Sequence, residues 1–136
     1  MALVVSPEWV ASGSDDSIIT LWDATKGEIT QRWVAHGYKS VLSLAFSPDG
    51  RRLVSVGRDG KVAIWNLYQS ARKVSTLKGH TGTVVSCAWS PDGGVVATAA
   101  WDETARLWDA RTFWQLRTLQ MPENWQMQSV AFSPDG

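Results

Sequence analysis

The stretch SPDGRRLVSVGRDGKVAIWN, residues 47–66, decides the fold because the chain repeats it. A second copy, SPDGGVVATAAWDETARLWD, occupies residues 90–109, and a third Ser-Pro-Asp-Gly stands at residues 133–136. A weaker copy, SPEWVASGSDDSIITLWD, occupies residues 6–23. The three Ser-Pro-Asp-Gly motifs keep a constant step of 43 residues. Self-similarity at a fixed period of this size predicts a repeat protein.

Two further markers keep the same period. They are a tryptophan and the aspartate six residues before it, at Trp22, Trp65, Trp108, Asp16, Asp59 and Asp102. Between markers the chain holds short alternating or β-branched runs, such as Val41–Phe46, Leu53–Val56, Val62–Trp65 and Val74–Leu77, broken by Gly, Pro, Asp and Asn. Such runs predict strands, and Asp-Gly after Pro predicts tight turns. Four antiparallel strands per period predict an all-β chain of propeller blades.

The chain resembles the WD-repeat family over essentially its whole length. The resemblance is carried by the Ser-Pro-Asp-Gly turns together with Leu21-Trp22-Asp23, Ile64-Trp65-Asn66, Leu107-Trp108-Asp109 and Gly79-His80. It implies a single domain, residues 1–136, with repeats at about 1–35, 36–79 and 80–121 and a final first strand within 122–136.

The resemblance also implies a polar network inside each blade, made of His, Ser or Thr, Asp and Trp. The members are His36, Ser55, Asp59 and Trp65 in the second repeat, His80, Thr98, Asp102 and Trp108 in the third, and Ser12, Asp16 and Trp22 in the first. An indole N–H donates, a hydroxyl donates and accepts, and a carboxylate accepts. The last loop, 121–125, holds no His. We therefore expect the network of the first blade to be incomplete.

A Ser, His and Asp group also raises the alternative of a hydrolase-like site. Its recurrence from repeat to repeat, and its Trp member, favour a structural role and a chain that is not an enzyme. Two histidines and one cysteine leave the usual zinc spacings absent, so we expect no metal and no cofactor.

Composition excludes several classes of partner. Thirteen basic and thirteen acidic residues cancel, which argues against nucleic acid and anionic membranes. The apolar runs are too short for a membrane span, and the start of the sequence lacks a signal-peptide pattern. The single cysteine, Cys87, fits a reducing compartment. We therefore expect an intracellular, cytoplasmic protein that binds proteins or peptides.

The number of blades matters for assembly. Without the opening residues 3–7, the expected order is three strands, two complete blades of four, and one final first strand, Met127–Phe132. Three blades' worth cannot close a ring, for which about four are the minimum. We expect closure by oligomerisation through the blade edges, or by missing blades of a longer propeller. Copies lending their final strands would give a six-bladed dimer or a nine-bladed trimer.

The predicted function is a non-catalytic scaffold whose partners engage rim loops, and the alternative is a self-assembling ring without a separate partner. Candidate binding residues at one rim are Asp15, Tyr38, Lys39, Arg58, Trp101 and Trp125. For Trp101, lying flat over its own blade is an open alternative. For Trp125 we favour packing against the neighbouring blade, because the missing His leaves space. At the opposite rim, Phe113 and Trp114, two aromatics expected to be exposed in a hairpin turn, are candidates for a second contact site. Burial of both by an adjacent subunit is the equal alternative.

Overall fold

The computed structural model describes residues 1–68 and 71–136. These residues form twelve β-strands and no helix. In chain order the strands are β1 Ala2–Val5, β2 Trp9–Gly13, β3 Ile18–Asp23, β4 Ile29–Val34, β5 Val41–Phe46, β6 Arg52–Gly57, β7 Val62–Asn66, β8 Arg72–Leu77, β9 Val84–Trp89, β10 Val95–Ala100, β11 Thr104–Asp109 and β12 Gln115–Gln120. Nothing in the described part of the chain has the length and hydropathy of a membrane-spanning helix.

The strands form three antiparallel sheets of four, β1–β4, β5–β8 and β9–β12, each in sequence order. The predicted all-β blades are confirmed, and the three do not close into a ring. The innermost strands lie side by side, β5 beside β1 and β9 beside β5. Because the strands alternate in direction, the loops at 14–17, 35–40, 58–61, 78–83, 101–103 and 121–126 share one end of the sheets, here the upper rim. The Ser-Pro turns and the turns between third and fourth strands form the lower rim.

Side-chain hydrogen bonds explain why Ser-Pro-Asp-Gly ends each innermost strand. In the second blade the Ser47 hydroxyl donates to Asp49 at 2.6 Å, and the same carboxylate accepts the Arg51 N–H at 3.0 Å. The Gly50 N–H donates to Ser47 O at 2.9 Å, and Gly50 has φ +70°, which glycine adopts without a Cβ clash. The third blade repeats these bonds at residues 90–94. The turn is therefore fixed by local chemistry.

Two apolar cores lie between the blades, one on each face of the middle sheet. Leu53 and Val54 are adjacent in β6, and both are fully buried. Successive strand residues point to opposite faces, so Leu53 packs in the core shared with the first blade and Val54 in the core shared with the third. The repeated tryptophans Trp65 and Trp108 follow a bulge in the third strand and are buried in these two cores. Each blade is thus stabilised mainly by its neighbours.

Both ends of the chain differ from the expected strand order. The opening residues form β1, which pairs with β2, so the first blade has four strands of its own. Residues 127–132, which the structure describes, form no strand. The sequence order of three strands, two blades and one final strand was therefore wrong. A strand needs a neighbour with which to exchange backbone hydrogen bonds, and none of the described strands pairs with residues 127–132.

Candidate partner-binding rim and the polar networks beneath it

A continuous chain of four hydrogen-bonded side chains lies under the upper rim of the second blade. Trp65 Nε1–H donates to Ser55 Oγ at 2.8 Å, and Ser55 Oγ lies 2.8 Å from His36 Nε2. His36 Nδ1 lies 2.9 and 3.0 Å from the two carboxylate oxygens of Asp59. With the imidazole hydrogen on Nδ1, every polar group in this chain has a partner. Such a satisfied buried network fixes the loop of His36 against the turn of Asp59.

The third blade repeats the arrangement. Trp108 Nε1–H donates to Thr98 Oγ1 at 2.9 Å, His80 Nε2 lies 2.7 Å from Thr98 Oγ1, and His80 Nδ1 lies 2.8 Å from Asp102. The Thr104 hydroxyl and the Thr81 N–H also donate to Asp102. The structure therefore brings together all four residues that the sequence grouped in each of these two blades.

Burial and hydrogen bonding set the charges in this network. Burial lowers the pKa of His80 below its usual value, although its contact with Asp102 opposes the shift. Burial alone raises the pKa of Asp102, but hydrogen bonds from Thr104, His80 and Thr81 outweigh it and hold the pKa below its usual value. The pair is thus a neutral imidazole donating to an ionised carboxylate at neutral pH.

The Ser55, His36 and Asp59 group has the order of contacts of a nucleophilic triad, but its surroundings prevent that chemistry. The Ser55 side chain is 0% exposed, and its hydroxyl already accepts the Trp65 indole N–H. His36 is also buried. A nucleophile must reach a reacting carbonyl, and neither group is accessible to a substrate. This argues against the hydrolase-like alternative.

The first blade has a looser arrangement. Trp22 Nε1–H lies 3.4 Å from Ser12 Oγ, which is long for a hydrogen bond. Asp16 does not contact Ser12; it accepts hydrogen bonds from the Ser14 hydroxyl and the Ile18 N–H in its own turn. No His is placed beside these three residues among those the structure describes.

The upper rim carries the predicted aromatic residues in exposed positions. Tyr38 is 87% exposed, Trp101 44% and Trp125 63%. Asp15, Lys39 and Arg58 are exposed on the same rim. The favoured packing of Trp125 against a neighbouring blade was wrong. The adjacent Asn124 N–H donates to Glu103 Oε1 at 2.8 Å, and this bond holds the loop on the rim with the indole in solvent.

Sequence reasoning missed how the rim loops are held. Ser17 and Glu103 occupy the same turn position in the first and third blades, with φ +70° and +67°. Each side chain accepts an N–H from the loop that follows its blade, Ser17 Oγ from Tyr38 at 3.2 Å and Glu103 from Asn124. The 43-residue step relates the two positions, but nothing in their residue types signals the shared role.

At the lower rim, the two aromatics that were expected to be exposed differ in their exposure. Trp114 is exposed, but Phe113 is half-buried against the core between the second and third blades, so its expected exposure was wrong. Arg52 of the second blade explains the difference: its guanidinium lies 5.8 Å from the Phe113 ring centroid and donates to Ala110 O at 2.9 Å. Phe113 has φ +65°, where the first blade has Gly27 at +71°.

Within residues 1–68 and 71–136, no group of three or more His, Cys, Asp or Glu side chains is arranged to hold a metal ion.

The comparisons with known proteins agree with the fold. The sequence model of the WD domain, G-beta repeat family matches residues 1–23, 27–66 and 71–109. The chain is 31% identical over 129 residues to nuclear distribution protein nudF 1 of Talaromyces marneffei, covering 93% of this chain and 28% of that protein. It is 33% identical over 122 residues to the LST8 homolog of Drosophila melanogaster, covering 85% of this chain and 39% of that protein.

The chain therefore spans well under half the length of these relatives. Three family matches, each ending at the third strand of a blade, and two relatives above 30% identity establish the family. The chain belongs to the WD-repeat family of β-propeller proteins.

Proposed function

We propose that this chain is a non-catalytic scaffold that binds protein or peptide partners at its upper rim. The observation that carries the proposal is the exposure of three aromatic side chains on loops that are already fixed. Tyr38 N–H bonds to Ser17, Trp101 N–H bonds to Thr83 O at 2.9 Å, and the loop of Trp125 bonds to Glu103. Large aromatic groups are favoured anchors in interfaces, and groups that are ordered before binding lose less entropy.

The charges beside these aromatics suggest how a partner is oriented. The second blade presents four exposed basic residues at the upper rim, Lys39, Arg58, Lys61 and Lys78. The third blade has the exposed Glu123 and the half-buried Glu103 there. A partner with acidic groups over the second blade and basic groups over the third would complement both, so its association should slow as salt is added.

A peptide library displayed on phage and selected against the purified chain tests this proposal. The binding of selected peptides is measured for Trp101→Ala and Trp125→Ala, with Trp114→Ala as the matched control, since Trp114 is also exposed but lies at the lower rim. Losses of about tenfold or more, equivalent to about 1.4 kcal/mol, are expected for the upper-rim variants only. Loss with Trp114→Ala alone would move the site to the lower rim and contradict the proposal.

Self-assembly is the second candidate function, and the exposed outer face of the first blade favours it. Leu3 and Val5 on β1 are 68% and 64% exposed. Their register counterparts in the second blade, Leu44 and Phe46, are buried and half-buried against the first blade. The outer face of the first blade thus exposes the apolar positions that the second blade buries.

Light scattering after size exclusion tests this candidate. Two or three times the chain mass of 15.0 kDa would support a six- or nine-bladed assembly, whereas a mass of one chain would contradict it.

An intracellular, cytoplasmic location stays a prediction that rests on the single cysteine.

A further inference from the structure

A cavity of about 720 Å³ opens at the lower rim between the second and third blades. Its walls are the Ser-Pro turns of both blades and the turns that follow their third strands. Pockets that hold ligands commonly measure roughly 300–1,000 Å³, so the cavity is large enough for a ligand. It lies at the end of the sheets opposite to the upper rim.

Three arginines line this cavity. Arg52 begins β6, Arg51 precedes it, and Arg111 lies in the turn after β11. Arg51 and Arg111 are exposed, and across residues 1–68 and 71–136 their guanidiniums make no hydrogen bond. No carboxylate of these residues lies within 4.0 Å of any of the three guanidiniums. A guanidinium binds carboxylates and phosphates through a planar fork of N–H groups, so the cavity is suited to an anion.

Arg52 is already held in position. Its guanidinium lies 5.8 Å from the Phe113 ring centroid and donates through Nη1 to Ala110 O at 2.9 Å. Its Nε and Nη2 groups donate to none of the described residues and remain for a ligand. One period away the same position holds Trp9 and Val95, so the repeat accepts apolar residues there and does not require the arginine. A side chain that is ordered before binding loses less entropy on binding.

Two aspartates in the same cavity limit the charge of the anion. Asp49 accepts the Ser47 hydroxyl at 2.6 Å, and Asp92 accepts the Ser90 hydroxyl at 2.7 Å. The Ser47 bond holds the pKa of Asp49 below its usual value, and bonds from the Gly94 N–H and the Ser90 hydroxyl do the same for the pKa of Asp92. Both are therefore ionised at neutral pH, and three positive and two negative side chains give the cavity a net charge of +1. A single carboxylate matches this charge, whereas a phosphate group, at about −1.5 to −2, exceeds it.

The cavity also has an apolar wall beside its charges. Pro48, Trp89 and Tyr68 belong to it. Trp89 Nε1–H donates to Gly93 O at 3.0 Å, which fixes the indole, and Tyr68 is 72% exposed with its N–H bonded to Asn66 Oδ1 at 3.0 Å. An apolar side chain next to the bound carboxylate would pack against these rings.

The cavity continues across the lower rim of the second blade. A second cavity of about 530 Å³ lies between the first and second blades, and Asp49, Arg51 and Tyr68 line both. The two cavities therefore form one groove, here the lower groove, which passes from the third blade to the first. A small molecule would occupy one cavity, whereas an extended peptide would occupy both.

We propose that the lower groove binds an extended acidic segment of a partner protein. The arginines of the first cavity bind one Glu or Asp carboxylate of the segment, and an adjacent apolar side chain packs against Trp89 and Tyr68. This site is additional to the upper rim and lies at the opposite end of the sheets, so partners at the two sites do not compete for the same surface.

Two sets of fluorescent hexapeptides test the proposal. In the first set a central Glu-Leu pair is fixed and the flanking positions vary among neutral residues, and in the second set Gln replaces Glu. Binding to the purified chain is measured by fluorescence anisotropy. Members of the first set should bind with Kd below about 1 mM, and their Gln counterparts should bind about fivefold more weakly.

Single variants locate the bound peptide. Arg111→Ala should weaken binding about fivefold, the loss of one exposed ion pair. Arg117→Ala is the matched control and should leave Kd unchanged, because Arg117 is exposed on β12, outside the cavity. Arg58→Ala tests whether the peptides bind instead at the upper rim. Circular dichroism of each variant checks that the sheets are retained.

The outcomes separate the lower groove from the upper rim. Weaker binding with Arg111→Ala, but not with Arg117→Ala, supports the inference. Weaker binding with Arg58→Ala alone would place the acidic peptides at the upper rim, which overturns the inference and leaves the proposed function intact. Equal binding of the Glu and Gln sets, or no binding by either, would also overturn it. If phosphoserine in place of Glu gives tighter binding that Arg111→Ala removes, the ligand is a phosphoryl group and the carboxylate assignment is wrong.

Discussion

Replacing His80 with Ala should lower the free energy of unfolding by about 2–3 kcal/mol. The substitution removes the 2.7 Å contact to Thr98 and the 2.8 Å contact to Asp102. Thr98 keeps the Trp108 N–H but loses the acceptor for its own hydroxyl hydrogen. Asp102 keeps the donors Thr104 and Thr81. Two lost hydrogen bonds at about 1 kcal/mol each, with some lost packing against the Trp108 ring, give this figure.

The assay is urea unfolding followed by tryptophan fluorescence at one fixed protein concentration, since any self-association makes stability depend on concentration. Lys78→Ala is the matched control, because Lys78 is exposed two residues away. His36→Ala should match the loss of His80→Ala, because its contacts repeat those of His80. If His80→Ala unfolds at the same urea concentration as Lys78→Ala, the network does not stabilise the blade and the reasoning is refuted.

Three further predictions concern pH, backbone strain and an unpaired indole. The pKa of His80 in the folded chain lies below its usual 6.5, so His80 takes up a proton more readily in the unfolded chain. The free energy of unfolding should therefore decline as pH falls below about 6.5. His80→Ala should flatten this decline in urea titrations at several pH values. Phe113→Gly should be less destabilising than Phe113→Ala by about 1 kcal/mol in urea unfolding, because Gly adopts φ +65° without the strain that a Cβ brings; equal losses would contradict the strain. Trp33 Nε1 is buried without a partner among the described residues. Trp33→Phe should therefore shift the thermal midpoint little, whereas Trp108→Phe should lower it by several degrees, about 1–2 kcal/mol; equal shifts would contradict this contrast.

The regular part of the fold was predictable because it depends on local chemistry. Ser-Pro-Asp-Gly closes its turn with hydrogen bonds among its own residues and their immediate neighbours, and the strands between Ser47 and Trp65 follow from alternation and turn spacing. The network residue His80 could be grouped with Thr98 and Asp102 only through the family resemblance, since it precedes them by 18 and 22 residues. In the structure His80 joins the other two, with Nε2 2.7 Å from Thr98 Oγ1 and Nδ1 2.8 Å from Asp102.

The features that the sequence did not reveal depend on contacts between different segments of the chain. Leu3–Val5 is too short to be recognised as a strand until β2 is seen beside it. Residues 127–132 have a strand pattern, but no neighbouring strand pairs with them. Phe113 is half-buried because Arg52 of the preceding blade covers its ring, and Trp125 is held in solvent by a bond between Asn124 and Glu103. Neither contact follows from residue type or spacing.

The hydrogen bonds from Cys87 to Ser43 and from Val130 to Ser86 have a consequence for how such a chain can change in length. Both contacts join one repeat to the next through the same positions of the repeat. A duplicated 43-residue unit would therefore pack against the repeat before it and the repeat after it through the same contacts. Gain or loss of whole units by gene duplication or deletion would therefore preserve the contacts at every junction. Insertion of a single residue within a strand would instead turn its following side chains to the opposite face of the sheet. We therefore expect the fold to tolerate the gain or loss of a whole repeat better than the insertion of a single residue within a strand.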